Sequence, residues 1–283
     1  MRTLLMLACE HDVALAMRLL HRLTLLGAWR HFSVLHVHLD KDINMATEET
    51  LRRIAPTDAL EVRIVRAGPA ECWNTRRAET MLHIYKDACT DDHDIVRVDP
   101  DVFVASPLFV DAVCATHHGI AGKLMRLHLP AMIAGRQLDF IQGGVSCWGK
   151  EGRAFIKALE YKDIDCFRKR YSDQVGCMLE EHASLYGYYF SRTEDVILTG
   201  ALAILAGLRR ANIEGLQVSP YDVLRDHRSP RLSYEDFVAA YESSGALAYH
   251  FEGGHSGRRS QMTEMLHRYY DESSTSLKDS LPN

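Results

Sequence analysis

No apolar run in this 283-residue chain approaches the ~20 residues that a membrane-spanning helix needs. The opening MRTLLMLAC comes nearest to a targeting signal. Its apolar core is too short for a signal peptide and runs straight into Glu10-His11-Asp12, so it reads as a first strand. An excess of basic charge is lacking too. With 33 Lys and Arg against 38 Asp and Glu the formal net charge is -5, which excludes a nucleic-acid binder built on a basic stripe. The seven cysteines (Cys9, Cys72, Cys89, Cys114, Cys147, Cys166, Cys177) are odd in number and include no C-x-x-C pair. That argues against a disulfide framework or a zinc knuckle and for a reduced, cytoplasmic setting. Neither G-x-G-x-x-G after the first strand nor G-x-x-x-x-G-K-[ST] is present, so neither a dinucleotide fold nor a P-loop is supported. No internal repeat and no Pro/Gly/Ser-rich linker cuts the chain.

What is present, in the first hundred residues, is alternation. Thr3–Ala8 has the length of a strand, and Val13–Leu26 places apolar residues at helical spacing behind Asp12 as N-cap. Phe32–Leu39 alternates as a strand, Thr47–Ile54 opens as a helix, Leu60–Val65 is strand-like, and Asn74–Ala88 is helical before the strand Ile95–Val98. This β-α-β-α-β-α-β order predicts an α/β fold with a mostly parallel central sheet and helices on both faces. The second half is less regular. It contains a strand at Gly119–Leu124, a basic, flexible-looking segment from Met125 to Leu138, a strand Phe140–Trp148 holding a glycine pair, helices at Glu151–Leu159 and Glu194–Leu208, a late strand Ala246–Phe251, and a helix near Gln261 to Tyr270. One domain over 1–270 is expected, with a polar tail over 271–283.

Ligands in such sheets gather outside the carboxyl ends of the strands. Polar clusters fall at three of these ends: Cys9-Glu10-His11-Asp12, His38-Leu39-Asp40 and Asp99-Pro100-Asp101. Two carboxylates one residue apart can share a hard divalent cation, Mg²⁺ or Mn²⁺, which in turn binds phosphate oxygens. Asp-Pro-Asp is equally a strand-ending turn. His250 lies just before a glycine-rich, cationic stretch with His255, Ser256, Arg258 and Arg259; this reads either as a diphosphate clamp or as a solvated loop. Glu194 and Asp195 begin a helix behind Thr193, where the helix dipole favours acids, and either carboxylate can also serve a reacting hydroxyl or anomeric carbon. Arg76 and Arg77 occupy a helix's first turn, where cations oppose the dipole; a donor phosphate or solvent accounts for them. Gln142 with Gly143-Gly144 fits a close substrate approach or a β-bulge.

Taken together, four segments resemble the metal-dependent GT-A glycosyltransferases, in particular the branch with the glycogenin and bacterial galactosyltransferase types. Asp99-Pro100-Asp101 resembles the D-x-D after the fourth strand, and Phe140-Ile141-Gln142-Gly143-Gly144-Val145 the F-N-x-G-V strand, with Gln142 in place of Asn. Glu194 to Thr199 is similar to D-Q-x-x-L-N, and His250-Phe251-Glu252-Gly253 to H-[FY]-x-G. The family's K-P-W is replaced by Ser256-Gly257-Arg258, and Asp195 stands where the family has Gln. The resemblance implies a GT-A-like single domain with a nucleotide-binding half over 1–110 and an acceptor half over 111–270. It implies Mn²⁺ or Mg²⁺ on Asp99, Asp101 and His250, and a nucleotide-sugar donor, a UDP-sugar, near Cys9, Glu10, His11, Arg76, Arg77, Asp99, His255, Ser256 and Arg258. Catalytic roles would fall on Glu194, Asp195 and Gln142, with retention favoured, and the acceptor would be a small molecule or saccharide. Three other functions share parts of the pattern: a non-catalytic nucleotide-binding module, a phosphatase whose D-x-D would follow an early strand, and a nucleotidyltransferase, whose basic glycine-rich loop is absent here.

Overall fold

As a computed structural model, the structure describes residues 1–9, 13–40, 43–54, 58, 60–66, 77–89, 92–127, 132–175, 193–216, 233–250, 264–265, 268–269 and 271–272. The chain begins with β1 (Arg2–Ala8), α1 (Val13–Leu25), β2 (Val34–Leu39), α2 (Met45–Ile54), β3 (Glu61–Arg66), α3 (Arg77–Ala88) and β4 (Asp94–Val98). The alternation read from hydrophobic periodicity holds. α2 starts earlier than Thr47 because Asn44 Oδ1 accepts the Thr47 N–H at 2.9 Å and so acts as the cap. Next come β5 (Val102–Val104), α4 (Leu108–Val113), β6 (Ile120–Arg126), β7 (Met132–Ile133), β8 (Arg136–Gln137), β9 (Asp139–Trp148), α5 (Lys150–Ala158) and α6 (Tyr161–Val175). A π-helical segment, Val196–Leu202, passes into a short α-turn, Ala203–Leu205; β10 (Arg210–Asn212), α7 (Tyr234–Ser243) and β11 (Ala248–His250) follow.

Two details were not read from the sequence. Within the basic, flexible-looking segment from Met125 to Leu138, β7 and β8 pair as a hairpin. Ala134 and Gly135, at φ 49° and 74°, supply the two positive values that a tight turn of this hand requires. The helix expected over Glu194–Leu208 is largely π-helical. Its Thr199 hydroxyl sits between the Asp195 carbonyl (2.7 Å) and the Ile141 backbone (2.9 and 3.0 Å), drawing the helix onto β9.

The central sheet runs β10-β6-β9-β4-β1-β2-β3. β1 to β4 are mutually parallel where they pair, and β10 is parallel to β6. β9 is antiparallel to both of its neighbours. The expected fold class, an α/β fold with a mostly parallel sheet and helices on both faces, is what the chain adopts. Alternation along the strands decides the faces. Leu4, Met6, Ala8, Val96 and Val98 pack with residues of α1 and α4, whereas Leu5 and Ile95 pack with residues of α3, α5 and α6. Burying each such aliphatic side chain stabilises by about 1.5–3 kcal/mol. Arg97, between Val96 and Val98, falls on the Leu5 and Ile95 face by the same alternation.

β2 and β4 flank β1, so the strand order reverses there and opens a crevice at the carboxyl ends. Cys9, Asp40 and Asp99 each follow a strand at this edge. The antiparallel β9 brings its glycine pair to the same edge, where the Asp99 N–H donates to the Gly144 carbonyl at 2.7 Å. Gly122 on β6 allows the close β6–β9 approach, since a Cβ there would meet Val145 O at 2.8 Å and Ile141 Cγ2 at 2.5 Å. Gly122→Ala should therefore destabilise the fold by about 1–3 kcal/mol, as overpacking does, read as a lower urea midpoint with an unchanged m-value.

Candidate functional site

Arg97 is the centre of the site. Its side chain is 4% exposed, and a buried guanidinium requires counter-charge. Asp99 supplies it in a two-pronged pair, with Arg97 Nε donating to Oδ1 at 2.8 Å and Nη2 to Oδ2 at 2.6 Å. Arg97 Nη2 also lies 3.6 Å from Glu194 Oε1, and Nη1 donates to the Tyr85 hydroxyl at 3.3 Å. That hydroxyl meets Ser146 Oγ at 3.2 Å, and Ser146 Oγ accepts from the Trp148 indole at 3.0 Å. Burial opposes the Arg97 charge, and Asp99, Tyr85 and Glu194 outweigh it, holding the guanidinium protonated.

Asp195 binds the start of the π-helical segment to the glycine pair. Oδ1 accepts the Val196 N–H at 3.0 Å and Oδ2 the Gly143 N–H at 2.8 Å. Burial first, and then the charge of Glu194, push the Asp195 carboxyl up to about 7, against the pull of the Gly143 and Val196 N–H groups and Arg97. A carboxyl that ionises near neutrality beside a second carboxylate is suited to exchanging a proton with a hydroxyl. Glu194, Asp195, Gln142 and Gly143 line one small pocket together with Arg97, Tyr85, Ser146 and Thr199.

The two aspartates of Asp99-Pro100-Asp101 part company. The Val102 N–H closes a turn onto the Asp99 carbonyl at 3.1 Å, so the pair does not share one face as on an extended chain. Asp99 turns to Arg97. Asp101 faces His250, whose Nε2 lies 3.5 Å from Asp101 Oδ2. Antiparallel pairing of β5 with β11, with Val102 opposite His250, sets this contact. β5 is tied in turn to α1 by Arg22 Nε, which donates to the Val104 carbonyl at 3.3 Å. Stacking of Tyr241 on Tyr249 at 3.9 Å anchors β11 against α7. One carboxylate oxygen and one imidazole nitrogen at this spacing suit a divalent cation. Asp99 keeps lone pairs on the sides away from Arg97. Among the described residues no group of three or more His, Cys, Asp or Glu is spaced as a metal site, and Asp99 is turned toward Arg97.

No protein-family model and no curated protein matches the chain. Among solved structures, the apo form of mouse xyloside xylosyltransferase 1 is 11% identical, covering 89% of this chain and 98% of its own, at a TM-score of 0.42. HddC from Yersinia pseudotuberculosis is 13% identical over 57% of this chain and 81% of its own, at 0.35. The same protein complexed with GMP-PN scores 0.37 over the same shares. Likeness at this level does not say what the chain does. The chemistry of its own residues has to.

Of the residues singled out in the sequence, Asp99, Asp101, His250, Glu194, Asp195 and Gln142 lie in two linked groups joined through Arg97 and the turn at Pro100. Cys9 is half-buried at the end of β1, and Arg77 opens α3; neither is a wall of the Arg97 pocket. Glu10, His11, Arg76, His255, Ser256 and Arg258 lie outside the described residues. Sequence reasoning missed Arg97, Tyr85 and Ser146, and it named Thr199 only as the end of the Glu194–Thr199 motif, with no role. Arg97 had a signal, being the one charge inside the apolar run Ile95–Val98. Tyr85 and Ser146 had none, because hydroxyls in buried elements are common.

Two outcomes follow from this arrangement. Arg97→Met leaves Asp99 and Glu194 without their counter-charge and should cost about 3–5 kcal/mol, seen in equilibrium unfolding. The Asp195 carboxyl ionises near its ordinary 3.8 when unfolded and near about 7 when folded, so the folded state holds an extra proton between these values. Its contribution to stability is fully present below about pH 4 and is lost as the pH rises through about 7. Unfolding free energies measured across that range should fall with pH in the wild type and be flatter in Asp195→Asn.

Proposed function

We propose that the chain is a divalent-metal-dependent glycosyltransferase moving a sugar from a nucleotide-sugar donor, a UDP-sugar, to a hydroxyl of a small-molecule or saccharide acceptor. The observation that carries this reading is the meeting of Asp101 and His250, distant in sequence, at 3.5 Å beside the turn that ends the fourth strand. That meeting is what the resemblance of Asp99-Pro100-Asp101 and His250-Phe251-Glu252-Gly253 to the GT-A motifs requires.

In this reading Asp101 and His250 hold Mn²⁺ or Mg²⁺, with Asp99 contributing from the side away from Arg97, directly or through water. The bound ion would supply positive charge to the departing diphosphate. Glu194 and Asp195 face the reacting sugar. Asp195, half-ionised near neutrality, takes or returns the acceptor proton, while Glu194 remains beside Arg97 and stabilises positive charge at the anomeric carbon, the charge type of glycosyl transition states. Gln142 offers its amide to the acceptor, and the resemblance favours retention. In this reading donor binding in the 1–110 half falls to Cys9, Glu10, His11, Arg76 and Arg77, and diphosphate binding in the 111–270 half to His255, Ser256 and Arg258. A cytoplasmic setting belongs to the same reading, and Cys89, Cys114, Cys147 and Cys166 are free thiols. Among the described residues no helix is long and apolar enough to cross a membrane.

A thermal-shift panel of nucleotide sugars, run with Mn²⁺ and with EDTA, tests this. A donor at a hundredfold excess over its Kd should stabilise the wild type by about 2.7 kcal/mol, and only when metal is present. Asp101→Ala should lose that shift while its ligand-free unfolding stays close to wild type. Equal stabilisation in EDTA, or no response to any nucleotide sugar, overturns the assignment.

A further inference from the structure

Gly143 presents a bare α-carbon to three charged groups. A Cβ there would lie 3.6 Å from Asp195 Oδ2, 3.7 Å from Glu194 Oε1 and 3.8 Å from Arg97 Nη2. The neighbouring Gly144 needs to be glycine for its backbone, at φ 95°. Gly143 lies outside the left-handed region, and the distances around its missing Cβ are ordinary van der Waals contacts. Neither conformation nor packing therefore demands glycine at 143. What its absent side chain leaves is a methyl-sized notch at the wall of the pocket that holds Gln142, Glu194 and Asp195.

The walls select the occupant. Two carboxylates disfavour an anion, and the adjacent guanidinium disfavours a cation. An apolar group would strip water from all three without replacing its hydrogen bonds. A hydroxyl both donates and accepts, matching two acceptors and one donor. We propose that Gly143 is a specificity-determining residue whose missing side chain admits one hydroxyl group of the transferred sugar or of the acceptor, hydrogen-bonded to Glu194 or Asp195 and to Arg97. The proposal rests on the glycosyl-transfer reading and names the chemistry that this site distinguishes.

Gly143→Ala fills the notch without forcing any atom aside, and its thermal unfolding should match the wild type. In Mn²⁺, calorimetric titration with UDP alone should give the same Kd for both proteins. If the hydroxyl belongs to the donor, UDP-glucose or UDP-galactose should bind the variant at least about tenfold more weakly, the loss of one or two hydrogen bonds to charged groups. If it belongs to the acceptor, donor binding is unchanged and the KM for a mono- or disaccharide acceptor rises by a similar factor. A variant indistinguishable from wild type in both arms, or one that loses UDP as severely as UDP-sugar, overturns the proposal. Should Gly143→Ala unfold more easily, donors and acceptors lacking one hydroxyl at a time are titrated on the wild type, and a full set with no tenfold loss overturns it equally. A wild type that binds no nucleotide sugar removes the glycosyl-transfer reading and this one with it. A wild type that binds one, beside an indifferent variant, removes this one alone.

Discussion

A guanidinium buried in the middle of a parallel sheet has to be neutralised, and the way Arg97 is neutralised organises everything around it. Asp99 takes both of its inner prongs, Tyr85 takes a third N–H from α3, and Glu194 approaches from the start of the π-helical segment. Elements remote in sequence are thereby fixed around one charge. Without it, the side-by-side burial of Glu194 and Asp195 would be offset only by the Gly143 and Val196 N–H groups, and the Asp195 carboxyl would be pushed further from its ordinary range. The arrangement also divides the labour within Asp99-Pro100-Asp101. One carboxylate serves the interior and the other faces His250, so a three-residue turn connects a structural ion pair to a candidate cation site.

Much of this was legible before any coordinates. The strands and helices of the first hundred residues announce themselves through periodicity, because a sheet covered on both faces needs continuous apolar strands and one-sided helices. The local signals at Asp99-Pro100-Asp101, Glu194-Asp195 and Gly143-Gly144 mark positions that do gather at one sheet edge. Other features depend on contacts that periodicity does not encode. The π-helical turn arises from Thr199 reaching the β9 backbone, a tertiary interaction invisible in the pattern of Val196–Leu202. α6 carries charges through most of its length and offers only a sparse apolar stripe. α7 was not read from the sequence either, although Ser233 caps it by accepting the Asp236 N–H, the kind of local signal that marks a helix start.

The π-helical segment also explains how two acids come to sit against a glycine pair. Wide turns of this kind concentrate at functional sites. Here the turn begins with Asp195 bonding the Gly143 N–H and continues with Gly200, where a Cβ would be 3.0 Å from the Phe140 Cβ. Helix and strand are held together at both ends of the segment. The carboxylates of the pocket are thus mounted on a rigid joint between two elements, where a loop would leave their separation variable.

The antiparallel β9 has a consequence for the order in which the protein is made. β1 to β4 are complete when residue 98 has been synthesised, yet β9 and Glu194 come much later in the chain. At roughly 5–20 residues per second on the ribosome, Glu194 follows Arg97 by about 5–20 s. Throughout that interval Asp99, two residues away on the nascent chain, is the nearest carboxylate able to match the guanidinium. The ion pair that anchors the finished site is thus local in sequence and needs nothing from the second half of the sheet to bring its partners together.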